Sequence, residues 1–381
     1  MSAATPLSAL LATVKQQLEQ LEAYRDALQA NVQRKEAIVA RLRGRVVRVR
    51  EPVDEEEEED LKDVPPAQRL IVPRDVIPEV FDRRVDEPPV TSVEWCGTSG
   101  LKLTLIAGLE PLAQLAHVSF RSGFIRKPSG LAHLAKTLKV LELYENRLRS
   151  LEGVECLEEL ETLDVSYNRL GTMEAQFLAP IGAHLTKLYM AENNLAEISV
   201  DALRPMVNLK LLDLGGNNLR LLQGLDTLVN LEEAWLGKNK ITKIEGLGAL
   251  TKLKRLSLQS NRLRKIEGLE TLTALEELYL SDQGIAEIQG LDALQRLNTL
   301  DLTNNQLTST KGLPWLPLLT DLWLAANQIA SFDDVDRLVP VVPVVETLHL
   351  ERNPIADDFE YRKYLKRTLP TLHYIDATQC V

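Results

Sequence analysis

Leu253-Lys254-Arg255-Leu256-Ser257-Leu258-Gln259-Ser260-Asn261 is the stretch whose reading decides the fold. Written as Leu-x-x-Leu-x-Leu-x-x-Asn, it recurs with its last position at Asn146, Asn168, Asn193, Asn217, Asn239, Asn261, Gln283, Asn305, Asn327 and Asn353. Most steps are 22 residues, and a degenerate copy, Leu115-x-x-Val118-x-Phe120-x-x-Gly123, precedes the ten. Strand alternation sends Leu256 and Leu258 into a core and leaves Arg255, Ser257 and Gln259 on the opposite face. Asn261 ends the strand, where its amide can bond backbone of the turn and of neighbouring coils. Ile244, Leu247 and Leu250 then close the core from the far side, and Gly246, matched by Gly224, Gly268, Gly290 and Gly312, allows the bend. Gln283 breaks the Asn series, so a local irregularity is expected there.

Repetition of this length with this motif is the signature of a leucine-rich-repeat solenoid of the α/β class. It implies a curved parallel sheet on the concave side and short 3₁₀ or turn segments on the convex side, over residues 95–353 with an N-terminal cap. Such an array exposes core at both ends. Val90 to Leu105 is expected to supply a capping strand or two. Residues 354–381 form the other cap: Asn353-Pro354 stops the repeat, and Asp357 or Asp358 caps a helix running to about Thr368. Tyr361, Tyr364 and Leu365 of that helix cover the last coil, and Leu372 and Ile375 close the edge.

Outward from the repeats, residues 44–94 carry seven prolines and Asp and Glu outnumber Lys and Arg by 15 to 8, which reads as an acidic, Pro-rich disordered linker. Residues 1–43 hold an amphipathic helix, with apolar residues at Leu7, Leu11, Val14, Leu18, Leu21, Leu28, Val32, Val39 and Leu42. Two readings stand for it: a self-associating coiled coil over 5–43, or a helix folded back on the end of the solenoid.

The formal net charge of −11 argues against non-specific binding to nucleic acid or anionic lipid and favours a basic partner face. Cys96, Cys156 and Cys380 make neither a disulfide framework nor a zinc spacing. No apolar run is long enough to span a membrane and no signal peptide is expected, so the reading is a chain of nucleus and cytoplasm. The histidines, His117, His133, His184, His349 and His373, fall in different coils without ligand spacing. With no nucleophile elbow or phosphate loop either, no enzyme, cofactor or metal is expected.

The residue four before each ladder position gives a row across the concave sheet: Ser119, Glu142, Asp164, Tyr189, Asp213, Trp235, Ser257, Tyr279, Asp301, Trp323 and His349. Rings at outward, solvated positions have no core to fill, and aromatic anchors among charges are what binding hot spots look like. From Asp164 to His349 the row spans about 38 Å at about 4.8 Å per strand, the scale of a globular partner.

The string Leu236-Gly237-Lys238-Asn239-Lys240-Ile241-Thr242-Lys243-Ile244 and the ending Leu350-Glu351-Arg352-Asn353-Pro354, with Tyr361-Arg362, Leu369-Pro370 and Ile375-Asp376-Ala377-Thr378, resemble the leucine-rich-repeat regulatory subunit of type-1 serine/threonine protein phosphatase. The likeness covers about residues 105–381. It implies that the phosphatase catalytic subunit docks on the concave face through Asp164, Tyr189, Asp213, Trp235, Asp301, Asp321, Trp323 and His349. At His349 the family usually has Tyr. It also implies control of phosphatase assembly or activity, a link to chromosome segregation, and room for a further inhibitor subunit. The linear docking motif of phosphatase regulators comes closest at His117-Val118-Ser119-Phe120, whose apolar residues belong to the core. The helix over 5–43 lies outside the family pattern and keeps open a scaffold of a ciliary or spindle complex.

Overall fold

The computed structural model describes residues 91–96, 102–106, 109–110 and 112–380, together with the backbone of Arg69–Leu70. The helix expected over 5–43 lies outside the described residues, as does most of the 44–94 segment.

Fourteen strands make one sheet in chain order, from Ser92–Cys96 and His117–Arg121 through the repeat strands to Thr347–His349, Tyr374–Ile375 and Thr378–Gln379. All pairings are parallel except the last, between Tyr374–Ile375 and Thr378–Gln379. Each repeat strand is three residues long, as in Arg255–Ser257 and Asp321–Trp323. That brevity follows from the repeat: one central residue, Leu in most coils and Ala234 in one, points inward, and the chain must turn at the ladder residue. Leu256 and Leu258 are fully buried, as are Ile244, Leu247 and Leu250 on the convex side, and successive coils join these into one continuous core.

The ladder asparagines hold the turns together. Asn261 accepts the Ile241 N–H of the preceding coil at 2.9 Å and donates to the carbonyls of Leu236, Leu258 and Gln259. A turn that would bury unpaired backbone is thereby satisfied. At Gln283 the expected irregularity does not appear in the strand register, which runs unbroken on both sides. The longer side chain still reaches both inter-coil partners, accepting from Leu263 N at 2.9 Å and donating to Leu258 O at 2.6 Å.

On the convex side the glycines do more than bend. Gly268 has φ +72°, and a Cβ there would lie 2.4 Å from the carbonyl oxygen of Ile244, so the coils approach too closely for any side chain. The longer coils, from Asn168 to Asn193, Asn193 to Asn217 and Asn327 to Asn353, spend their extra residues on single helical turns at Ala175–Leu178, Val200–Leu203 and Asp333–Asp336.

At the N-terminal end Ser92–Cys96 joins the main sheet beside His117–Arg121, so ordered strand begins inside the segment read as linker. Lys102–Leu103 pairs instead with Arg69–Leu70 in a separate two-stranded sheet. At the other end the helix Tyr361–Thr368 buries Tyr361 and Leu365, and Leu372 and Ile375 are buried beyond it. Its N-cap is Glu360 without a side-chain cap bond, which corrects the expected cap at Asp357 or Asp358. Pro354–Asp357 is already a 3₁₀ turn, and Asp358 is spent on the Glu360 N–H at 2.8 Å. Asp376 takes over the ladder role, accepting from Leu350 N, Glu351 N and the Tyr361 hydroxyl, each at 3.0 Å.

Candidate partner-binding face

Strand register aligns the concave row without a slip: Ser119, Glu142, Asp164, Tyr189, Asp213, Trp235, Ser257, Tyr279, Asp301, Trp323 and His349 are successive cross-strand partners. Asp321 lies one pleat earlier, in a second outward row with Glu233, Arg255, Glu277 and Thr299. The expectation that the main row is solvated needs correction. None of its members is fully exposed, and Ser257 is only 1% and Asp301 7% accessible. Rings on a curved sheet lean over their smaller neighbours, so the face supplies part of its own cover.

The row divides into two halves. From Asp164 to Trp235, acids alternate with rings and border an open hollow, which Tyr144, Tyr167 and Glu192 also line. Gly215, Gly216 and Gly237 line it as well. Asp164 accepts the Ser166 N–H and Asp213 the Gly215 N–H, both at 2.9 Å, which fixes each carboxylate. Burial raises the pKa of both above the ordinary Asp value, and each is raised further by a neighbouring acid, Glu142 for Asp164 and Asp164 for Asp213. An added cation would reverse that penalty.

In the second half rings meet rings. Trp323 lies 6.3 Å from Tyr279 and 5.9 Å edge-on from His349. Tyr279 and Trp323 belong to strands that flank Asp301 on either side, and their rings close over it. Asp301 is therefore a covered acid bonded to Thr303 N at 2.9 Å, not the open docking acid the resemblance implies. Asp321 accepts from the Thr320 hydroxyl at 2.8 Å. The Trp323 indole N–H is buried with no hydrogen-bond partner among the described residues, and so is Oε2 of Glu351, whose other oxygen lies 3.4 Å from His349 Nδ1.

Between the halves stands a network that reading the main row alone misses. Arg255 forks onto Glu277 at 2.6 and 2.7 Å and reaches Glu233 at 3.1 Å. The Arg255 guanidinium holds Glu277 below the usual carboxylate range. Burial, then the bond to Glu277, pushes the Tyr279 phenol up to about 12. The signal was present in sequence as opposite charges one repeat apart, at Glu233, Arg255 and Glu277.

Val118 and Phe120 are buried in the core, so His117-Val118-Ser119-Phe120 is not an exposed peptide. Among the described residues no helix is long and apolar enough to cross a membrane and no cluster of His, Cys, Asp or Glu could hold a metal ion.

A curved parallel sheet closed by an asparagine ladder defines the class: the chain is a leucine-rich-repeat protein. The leucine-rich-repeat family profile matches residues 271–380, and a profile of two such repeats matches residues 229–271. The chain is 33% identical over 166 residues to the protein phosphatase 1 regulatory inhibitor subunit PPP1R7 homolog of Arabidopsis thaliana, covering 42% of this chain and 49% of that protein. This match bears out the resemblance carried by the repeat strings and the ending. It is also 31% identical over 107 residues to human leucine-rich repeats and immunoglobulin-like domains protein 3, covering 28% of this chain and 9% of that one. The chain thus spans half or less of the length of these relatives. Among solved structures, a leucine-rich-repeat protein of Leptospira interrogans superposes with TM-score 0.63 at 27% identity, over 72% of this chain and 70% of that one. An internalin of Listeria monocytogenes gives 0.62 at 20% identity, over 84% and 86%, a likeness of fold alone.

Proposed function

We propose that this chain is a non-catalytic regulatory subunit that binds the catalytic subunit of type-1 protein phosphatase on its concave face and controls its assembly or activity. The observation that carries the proposal is the unbroken concave row, in which Asp164, Tyr189, Asp213, Trp235, Trp323 and His349 fall into one register. The similarity to a phosphatase regulatory inhibitor subunit supports the identity of the partner. The acids of the first half steer a basic surface, and the rings of the second half supply apolar anchor area. Asp321, beside Thr299 and Thr347 in the second row, adds a carboxylate at the edge of the ring cluster.

Size-exclusion chromatography of the purified chain mixed with the phosphatase catalytic subunit tests this. A one-to-one complex, lost when Trp235 and Trp323 are both changed to Ala in a chain that stays folded, is the expected outcome. A complex that survives that double change moves docking to another surface. Phosphatase assays on the isolated complex then give the direction of control.

A further inference from the structure

Five side chains on three adjacent strands form one continuous chain of hydrogen bonds through the middle of the concave face. The Trp235 indole N–H donates to Glu233 at 3.2 Å, Arg255 bridges Glu233 and Glu277, and the Tyr279 hydroxyl donates to Glu277 at 2.8 Å. The Arg255 guanidinium also lies 5.7 Å from the centre of the Trp235 ring. Both polar handles of the two rings are thus tied to one cation, and the residue between the rings is the small Ser257.

We infer that Arg255 is a positioning residue: it fixes Trp235 and Tyr279 for docking and offsets one of the two charges that Glu233 and Glu277 offer to a basic partner. The inference rests on the concave docking proposed above. A fork is required because a guanidinium engages two carboxylates at once in a fixed plane, whereas an ammonium is a point charge on a flexible stem. With one of its two central carboxylate charges offset by Arg255, the face offers a ring-lined strip, with half-buried acids at Asp164 and Asp213 on one side and Asp321 on the other. Asp213 on strand Leu211–Asp213 and Asp321 on strand Asp321–Trp323 are five strand steps apart, about 24 Å at about 4.8 Å per step. The partner that fits carries two basic groups at about that separation, flanking an apolar element.

The test reads the rings without a partner and the charge with one. Fluorine NMR on protein labelled with fluorotryptophan resolves the four tryptophans, with Trp235 assigned by Trp235→Phe. In both Arg255→Gln and Arg255→Lys the Trp235 resonance should move towards that of free fluorotryptophan while Trp315, remote on the solenoid's other side, stays in place. With the phosphatase catalytic subunit, both variants should dissociate about tenfold faster because ring order is lost. Only Arg255→Gln, which adds one net negative charge to the face, should show a steeper salt dependence of association. An unmoved Trp235 resonance overturns the positioning role. If Trp323→Ala abolishes binding while Arg255→Gln binds and dissociates as wild type, docking stands and this inference falls. If neither variant alters binding, the docking proposal falls, and the NMR result still decides whether Arg255 orders the ring.

Discussion

From Asp164 to Trp235 the concave row sets half-buried acids beside an open hollow, whereas from Tyr279 to His349 the rings close over the acid between them. Both halves use the same strands, the same ladder and the same outward position. The difference is made by how the neighbours sit: Asp213 and Asp301 each stand between two rings, Tyr189 with Trp235 and Tyr279 with Trp323, but Asp213 also lines a hollow with Gly215, Gly216 and Gly237, whereas Tyr279 and Trp323 approach to 6.3 Å over Asp301. An acid whose flanking rings approach each other becomes part of an apolar surface. An acid that lines the hollow stays half-buried within reach of a partner that enters it. The first half is thereby suited to steering and the second to anchoring.

The comparison breaks most visibly at Trp323. Trp323→Ala should weaken binding of the catalytic subunit by more than about 2 kcal/mol, roughly thirtyfold, as expected for a hot-spot ring. Calorimetric titration measures this, with circular dichroism confirming that the chain is folded. A loss of less than threefold would mean that the ring cluster is only self-packing.

Next in size is the paired change Asp164→Asn with Asp213→Asn. Association at low salt should slow by about tenfold and lose most of its salt dependence, because these ionised acids act at long range. The same pair sets a pH dependence. Their folded pKa values lie above the ordinary 3.8, so the ionised carboxyls cost stability at neutral pH, and that cost is relieved as pH falls through the raised values. A basic partner that pairs them favours the ionised form, so affinity should fall as pH drops through that window above 3.8, with protons taken up on dissociation. Calorimetry in buffers of different ionisation enthalpy reads the protons, and the double variant should show no such exchange.

Asp301→Asn sharpens the contrast from the other side. The covered acid should alter the salt dependence of association little, and affinity by less than threefold, which stopped-flow fluorescence can resolve. The smallest effect belongs to Ser257→Ala. This residue is buried between the two halves and its hydroxyl donates to Gln259 at 2.9 Å, so binding should change by less than about 0.5 kcal/mol and unfolding by about 1 kcal/mol or less.

The resemblance in sequence is richest where the physics is most local. Leu at fixed spacing must point inward, Asn must satisfy the turn, and Gly must lie where coils meet, so the repeat string over 253–261 was enough to specify strand, ladder and bend. The concave row was legible for the same reason, since counting four back from each ladder residue places side chains on one face. Counting six back would have shown Glu233, Arg255 and Glu277 at equivalent positions in successive repeats, and with them the central network.

What the sequence by itself determined is therefore the coil: its inward leucines, its ladder and the order of the outward row, because each depends on residues a few positions apart along the chain. Only the tertiary structure decided which outward residues are open and which are covered. Accessibility on a curved sheet depends on side chains a full repeat away leaning towards one another, as Tyr279 and Trp323 do over Asp301. Likewise Gln283 looked like a break in the ladder, yet its longer side chain spans the same gap between coils, a matter of reach that only neighbouring backbone in three dimensions can settle.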